Sequence, residues 1–166
     1  MRGTGQEDIV CPEQFELLIK LLLERERNVK SVRIPAPINQ GDKKRDLIIE
    51  WRVRNPNIVS KTQPPTSLIK VVGQCKASKS TIGKGQVLDI RDTLETHNSK
   101  GFFLAVSTQI SAPMTEKLES LRSNGIWTDW WNREDIELRL SKNQDLLPRF
   151  PKVLKAKHQI KFIEKD

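Results

Sequence analysis

Three polar residues lie among the apolar residues of two stretches of the chain, and their types suit chemistry on phosphate esters. Asp46 lies near the start of segment 45–53, whereas Gln74 and Lys76 end segment 67–76. Side chains alternate between the two faces of a strand, so Gln74 and Lys76 share a face if 67–76 is a strand. A carboxylate, an amide oxygen and an ammonium group converge if the two strands are neighbours. We predict that this group is the centre of a metal-dependent nuclease.

The predicted site combines a set of oxygen ligands with one cation. Phosphodiester hydrolysis needs an attacking water and positive charge near the oxygens that become more anionic in the transition state. Magnesium prefers oxygen ligands, which makes Asp46 the first candidate, with the Gln74 side-chain oxygen and the Cys75 backbone carbonyl beside it. Glu16 is a candidate second carboxylate, bound directly or through water. Lys76 is expected to position the water, assist its deprotonation and stabilise developing charge.

The composition favours a polyanionic partner. The chain has 166 residues and a formal net charge of +8, with an isoelectric point near 9.7. This length fits one domain, and the excess of cations favours nucleic acid, with a merely solvated basic surface as the alternative. Five cations near the predicted site in sequence are candidate phosphate contacts: Lys43, Lys44, Arg45, Lys79 and Lys84.

Cysteine and hydropathy patterns exclude other classes. Cys11 and Cys75 form no CxxC pair, and only His97 and His158 accompany them, so no zinc-ligand spacing is present. Cys75 falls on the predicted core face as a free thiol, which suits a reducing compartment. No apolar run approaches the about 20 residues that cross a bilayer, and the amino terminus lacks the core of a signal peptide. We therefore predict a cytoplasmic protein without a membrane partner.

Hydrophobic periodicity predicts the elements that must position these residues. The predicted helices are 12–23, 86–98, 113–124 and 132–140, and the predicted strands are 31–39, 45–53, 67–76, 101–107 and 126–130. The first strand carries Pro35 and Pro37 and is therefore expected at a sheet edge or as an extended lead-in. This order predicts an α/β fold in which helices flank a mixed central sheet. We predict a domain over 1–144 and a basic tail or linker over 145–166, leading to a further domain in a longer protein.

The order of the short motifs adds to this prediction. Phe15 and Glu16 lie on the first helix, Gly41-Asp42-x-x-x-Asp46 precedes an apolar strand, and Gln74-x-Lys76 ends the next. Over about residues 12–140 the chain resembles the PD-(D/E)XK nuclease superfamily, and within it the Mrr-like restriction endonucleases. The resemblance implies a restriction-endonuclease-like core of order αβββαβ, here with an extra C-terminal helix. It also implies Asp46 and Gln74 as metal-site residues, Lys76 as the catalytic lysine and Glu16 as the helix carboxylate.

Gln74 is a departure from most of the superfamily, which has an acidic residue at that position, although the Mrr-like branch commonly shows the same glutamine. The resemblance implies a magnesium-dependent DNA endonuclease, with Mn²⁺ as an alternative ion, acting as the effector of a restriction or anti-phage defence protein. A homo-oligomer or a part of a larger multidomain protein is expected. One alternative is a non-catalytic nucleic-acid-binding module, favoured by the neutral Gln74. Another is a structure-selective or RNA-cutting nuclease.

Some of these residues also have ordinary structural explanations. For Glu16, the alternative to a metal role is a solvated position on the polar side of its helix. His97, near the end of a helix, is expected at the surface or as a cap. Trp127, Trp130 and Trp131 are expected in the core or at an interface.

Overall fold

A mixed five-stranded sheet organises the chain. In a computed structural model, residues 12–35, 46–54, 65–78, 80–87 and 89–150 are described. The strands are β1 (Val29–Arg33), β2 (Leu47–Arg54), β3 (Thr66–Lys76), β4 (Gly101–Val106) and β5 (Trp127–Trp131). The helices are α1 (Pro12–Glu24), α2 (Ile90–Thr96), α3 (Ala112–Ser123) and α4 (Arg133–Ser141), with short 3₁₀ helices at Lys84–Gln86 and Gln144–Arg149.

The strands follow their chain order across the sheet, β1-β2-β3-β4-β5. β2 runs antiparallel to both of its neighbours, β1 and β3, whereas β3, β4 and β5 are parallel to one another. Parallel neighbours require crossover connections, which α2 and α3 supply. The predicted α/β class with a mixed sheet and flanking helices is confirmed. The order αβββαβ is present and continues with α3, β5 and α4, and β1 is an edge strand that ends before Pro35.

Two apolar clusters cover opposite faces of the sheet. On one face, α1 and α4 pack over residues that include Ile49, Phe103 and Trp131. On the other, α2 and α3 pack over Phe102 and Leu104. All six residues of β4 are buried, as expected for a central parallel strand covered on both faces. The prediction of a doubly buried strand from its continuous apolar run is therefore confirmed.

The helix predicted over 86–98 is shorter than expected. It begins at Ile90, after a 3₁₀ turn over Lys84–Gln86. Asp89, just before the helix, has a φ of 57° in the left-handed region, which interrupts continuous right-handed helix. Val87 is buried although it is not helical, and its contribution to the core explains why the apolar spacing extended the predicted helix.

The packed structure reaches Phe150. Leu146 and Phe150 are buried in the α1 and α4 cluster, and Arg25 pairs with Asp145 at 2.8 Å. The predicted domain boundary after residue 144 therefore lies within a segment that packs on the core. Within the described ranges, no helix is long and apolar enough to span a membrane.

Asp129 on β5 gives a prediction for stability. Burial raises the pKa of its carboxyl, and the hydrogen bond from the Trp130 backbone only partly opposes this. Because the folded protein disfavours the charged form, stability is lost as pH rises from the ordinary Asp pKa through the folded value. Asp129→Asn should therefore raise the free energy of unfolding at pH 7. Denaturant unfolding of both proteins at pH 7 and near pH 3 measures their free energies of unfolding. A gain in this free energy near pH 3 that equals the gain at pH 7 would contradict the prediction.

Candidate active site

The register of β2 and β3 places Asp46 beside Gln74. Leu47, the first residue of β2, pairs with Gly73, so the preceding Asp46 lies opposite Gln74. The Gln74 Nε2 donates a hydrogen bond to Asp46 Oδ1 at 3.3 Å. Gln74 is only 9% exposed, so this amide is largely removed from water. The structure thus brings together two polar residues that are 28 positions apart in the chain.

Lys76 follows Gln74 on the same face of β3. The strand pairs with β4 through Lys76, opposite Val106, whereas its pairing with β2 ends at Gly73, opposite Leu47. Gln74 to Lys76 therefore extend past the start of β2, at the end of the β2–β3 ladder. Lys76 is half-buried there. The alternation predicted from sequence is present in the strand.

The backbone of β3 directs the Cys75 carbonyl towards the side on which Asp46 lies. The Lys76 carbonyl accepts a hydrogen bond from the Ser107 N–H at 3.1 Å, on the β4 side. Carbonyl directions alternate along a strand, so the Cys75 carbonyl is directed to the opposite side, towards β2. This orientation suits the backbone ligand predicted from sequence.

Glu16 is buried, with only 6% of its surface exposed. The solvated alternative for this residue is therefore wrong. Burial raises the pKa of the Cys75 thiol far above its usual range, and the charges of Glu16 and Asp46 raise it further, while Lys76 opposes them. All three charges therefore influence one thiol, which itself packs against the core as predicted. The four residues lie in one region of the molecule.

His97 completes this region, and sequence reasoning missed its contact. Its Nε2 lies 3.1 Å from Asp46 Oδ2, and the two side chains are 26% and 19% exposed. Gln74 and His97 therefore engage different oxygens of one carboxylate, which fixes its orientation. His97 is also the C-cap residue of α2, so the capping prediction was right but incomplete. Its only sequence signal was its place at the end of the helix that follows Gln74-x-Lys76.

The donor set near Asp46 fits a hard divalent cation. Across the described ranges, no three His, Cys, Asp or Glu side chains gather as a metal cluster. The Asp46 carboxylate, the Gln74 amide and the Cys75 carbonyl nevertheless offer oxygen ligands, and magnesium commonly keeps several waters beside one or two carboxylates. The Gln74 amide presents its nitrogen to Asp46, so it must rotate to offer its oxygen to a metal. Glu16 is the available second carboxylate.

Of the candidate phosphate contacts predicted from sequence, Lys84 lies within the described residues. Lys84 is exposed and borders a shallow depression beside α3, together with Pro113 and Glu116. In the part of the chain that the structure describes, no contact joins it to Asp46 or Gln74. The other predicted contacts lie outside the described residues, and these are Lys43, Lys44, Arg45 and Lys79. The Gly41-Asp42 pair of the motif also lies outside them.

Comparisons with known proteins give one structural similarity. No family model matches the chain, and no curated protein matches it. A solved structure of the DNA modification-dependent restriction endonuclease AspBHI is similar, with a TM-score of 0.49 and 12% sequence identity over 87% of this chain. The chain spans 39% of the length of that protein. The chain's own side chains therefore carry the functional interpretation.

Proposed function

We propose that the chain is a metal-dependent endonuclease domain of the Mrr-like type that hydrolyses DNA. The observation that carries this proposal is the hydrogen bond between Gln74 and Asp46, because it unites the two predicted motif segments at one end of the β2–β3 ladder. Lys76 lies two residues further along the same strand face. The net charge of +8 supports a polyanionic substrate. A role as the effector of a restriction or defence protein belongs to the same proposal.

The ligand roles follow from the donor atoms. Asp46, Gln74 and the Cys75 carbonyl would hold Mg²⁺, or Mn²⁺ in its place, with Glu16 as a further ligand directly or through water. When bound, such an ion supplies positive charge at the scissile phosphate and lowers the pKa of a coordinated water. The neutral Gln74 leaves Asp46 and Glu16 as the negative charges that bind it.

Lys76 is the residue proposed to act on the reacting atoms. Its ammonium group has three donors and no acceptor, so it suits an attacking water and a phosphate oxygen that gains charge. A half-buried position strengthens such contacts because water screens them less. Lys76 also offsets the two carboxylates near Cys75, whose thiol responds to all three charges.

His97 is proposed as a positioning residue that acts through Asp46. Loss of a partner that orients a metal-binding carboxylate typically costs about 10–100-fold in activity or metal affinity. We expect His97→Ala to lower the turnover rate by about that factor while DNA affinity without metal is unchanged. His97→Gln, whose amide can still donate to Asp46 Oδ2, should recover part of the loss. Single-turnover cleavage and metal-free DNA titration measure the two quantities, and wild-type turnover in His97→Ala would refute this role.

A cleavage assay tests the proposed function. The purified protein is incubated with duplex DNA, single-stranded DNA or RNA, in Mg²⁺, in Mn²⁺ and in a chelator. We expect duplex cleavage in the presence of the ions and none with the chelator. An Asp46→Asn preparation, purified in parallel, controls for contaminating nucleases.

The same assay separates the alternatives. A protein that binds DNA with steep salt dependence but never cleaves any substrate would be a non-catalytic binding module, for which the neutral Gln74 is the supporting feature. Cleavage restricted to RNA or to branched DNA would instead support the structure-selective or RNA nuclease. Either result would overturn the proposal of a duplex DNA endonuclease.

A further inference from the structure

The sheet face that carries Asp46 continues along β1, β2 and β3. Every second residue of β2 after Asp46 shares its face, and the hydrogen bond from Ser31 Oγ to Glu50 at 2.6 Å extends this face to β1. The apolar cluster of α2 and α3 covers β4 and β5 residues instead. A depression with a volume of about 380 Å³ lies on this face and is lined by Ser31, Arg33, Ile48, Glu50, Leu68, Ile69 and Lys70.

Four cations lie on this face and are called the strand-face cations: Arg33, Arg52, Arg54 and Lys70. The three arginines are exposed and the lysine is half-buried. Among the described residues, no ion pair or hydrogen bond engages the side chain of any of the four. Arginines elsewhere are paired, for example Arg25 with Asp145 and Arg139 with Glu26. The strand-face cations are therefore available for an external anion.

The geometry of the strand spaces these charges along a line that leads to Asp46. Same-face residues repeat about every 6.6 Å along a strand, which puts Arg52 and Arg54 roughly 20 and 26 Å from Asp46 along β2. Duplex DNA carries one negative charge per about 1.7 Å of its axis, so a duplex over this length presents several phosphates. On this face Glu50 lies opposite Lys70 and keeps its negative charge, so four cations and one carboxylate leave a net charge of +3.

We propose that the strand-face cations bind the sugar–phosphate backbone of DNA and lead it towards Asp46 and Gln74. This inference rests on the nuclease function proposed above and identifies the surface that holds its substrate. A row of guanidinium groups suits phosphate oxygens, because each guanidinium can donate two parallel hydrogen bonds. The depression between β1 and β3 has an apolar floor at Ile48, which suits the sugar face of the backbone.

A matched pair of charge variants tests the surface. The test variant carries Arg33→Gln, Arg52→Gln and Arg54→Gln. The control carries Lys20→Gln, Lys142→Gln and Arg149→Gln, three cations on or beside the elements that cover the opposite face of the sheet, and loses the same charge. Fluorescence anisotropy measures binding of a labelled duplex over a series of salt concentrations in chelator. The negative slope of log affinity against log salt should become less steep by about 3 in the test variant, and by less than about 1 in the control.

The outcomes separate the surface from the nuclease function. An unchanged slope in the test variant, or an equal fall in the control, overturns the surface, even if the wild-type protein cleaves DNA. A wild-type protein that needs this surface to bind DNA but never cleaves it overturns the function and leaves the surface standing. Polyglutamate that competes as well as DNA of equal charge would overturn the DNA assignment in favour of an acidic protein. If the triple variant unfolds, Arg54→Gln alone should make the salt slope less steep by about 1.

Discussion

Asp46→Asn is expected to abolish DNA cleavage while the fold is retained. Asparagine keeps an oxygen that can accept the hydrogen bond from Gln74 Nε2, which Asp46 Oδ1 accepts at 3.3 Å. It removes the negative charge, so the proposed metal site keeps only Glu16 as a carboxylate ligand. We expect the cleavage rate to fall by at least about 10³-fold, comparable to the loss of a principal transition-state contact. Plasmid nicking in Mg²⁺ measures the rate, and thermal unfolding verifies the fold.

A control and a companion variant sharpen this result. Asp92→Asn, at an exposed position in the first turn of α2, removes the same charge away from the site and should leave cleavage unchanged. Lys76→Ala should reproduce the loss seen with Asp46→Asn, because no other donor is proposed for the attacking water. Full activity in either Asp46→Asn or Lys76→Ala would disprove the assignment of the site.

The sequence predicted those elements whose apolar pattern is local. The continuous apolar run 101–107 indicated a doubly buried strand, and every residue of β4 is buried. Pro12 and the helical spacing after it predicted a helix over 12–23, and the observed α1 ends one residue later, at Glu24. The start of α2 was not predictable in this way, because it depends on the left-handed backbone of Asp89, which no spacing rule encodes. Local periodicity therefore placed the elements, and backbone conformation between them set their limits.

The site was predicted to the extent that strand alternation determines it. Alternation predicted Gln74 and Lys76 on one face, and the β2–β3 register brings Asp46 beside Gln74. The contact of His97 with Asp46 joins residues 51 positions apart and depends on where α2 ends above the sheet, which is a tertiary property. Glu16 was similarly ambiguous, because helical spacing does not reveal that α1 packs on the sheet beside Cys75.

Gln74→Glu is the substitution with the most informative expected effect on metal binding. It replaces an amide that donates to Asp46 with a second carboxylate at the same distance. Without metal the two negative charges repel each other and the hydrogen bond is lost, so we expect a lower melting temperature in chelator. With Mg²⁺ the added charge should tighten binding by about tenfold, because the number of charged ligands tunes affinity. Such a change adds about 1.4 kcal/mol of metal-linked stabilisation at excess Mg²⁺.

Gln74→Met is the matched control, since it keeps a similar length but has no oxygen ligand. Thermal unfolding in chelator and in a Mg²⁺ series compares the three proteins, and calorimetric titration gives their metal affinities. If Gln74→Glu binds Mg²⁺ no more tightly than the wild-type protein, Gln74 does not face the metal. A Gln74→Glu protein that cleaves DNA while the wild-type protein only binds it would indicate a scaffold whose site lacks one negative charge. Cleavage by both would show that Asp46 and Glu16 already provide sufficient charge.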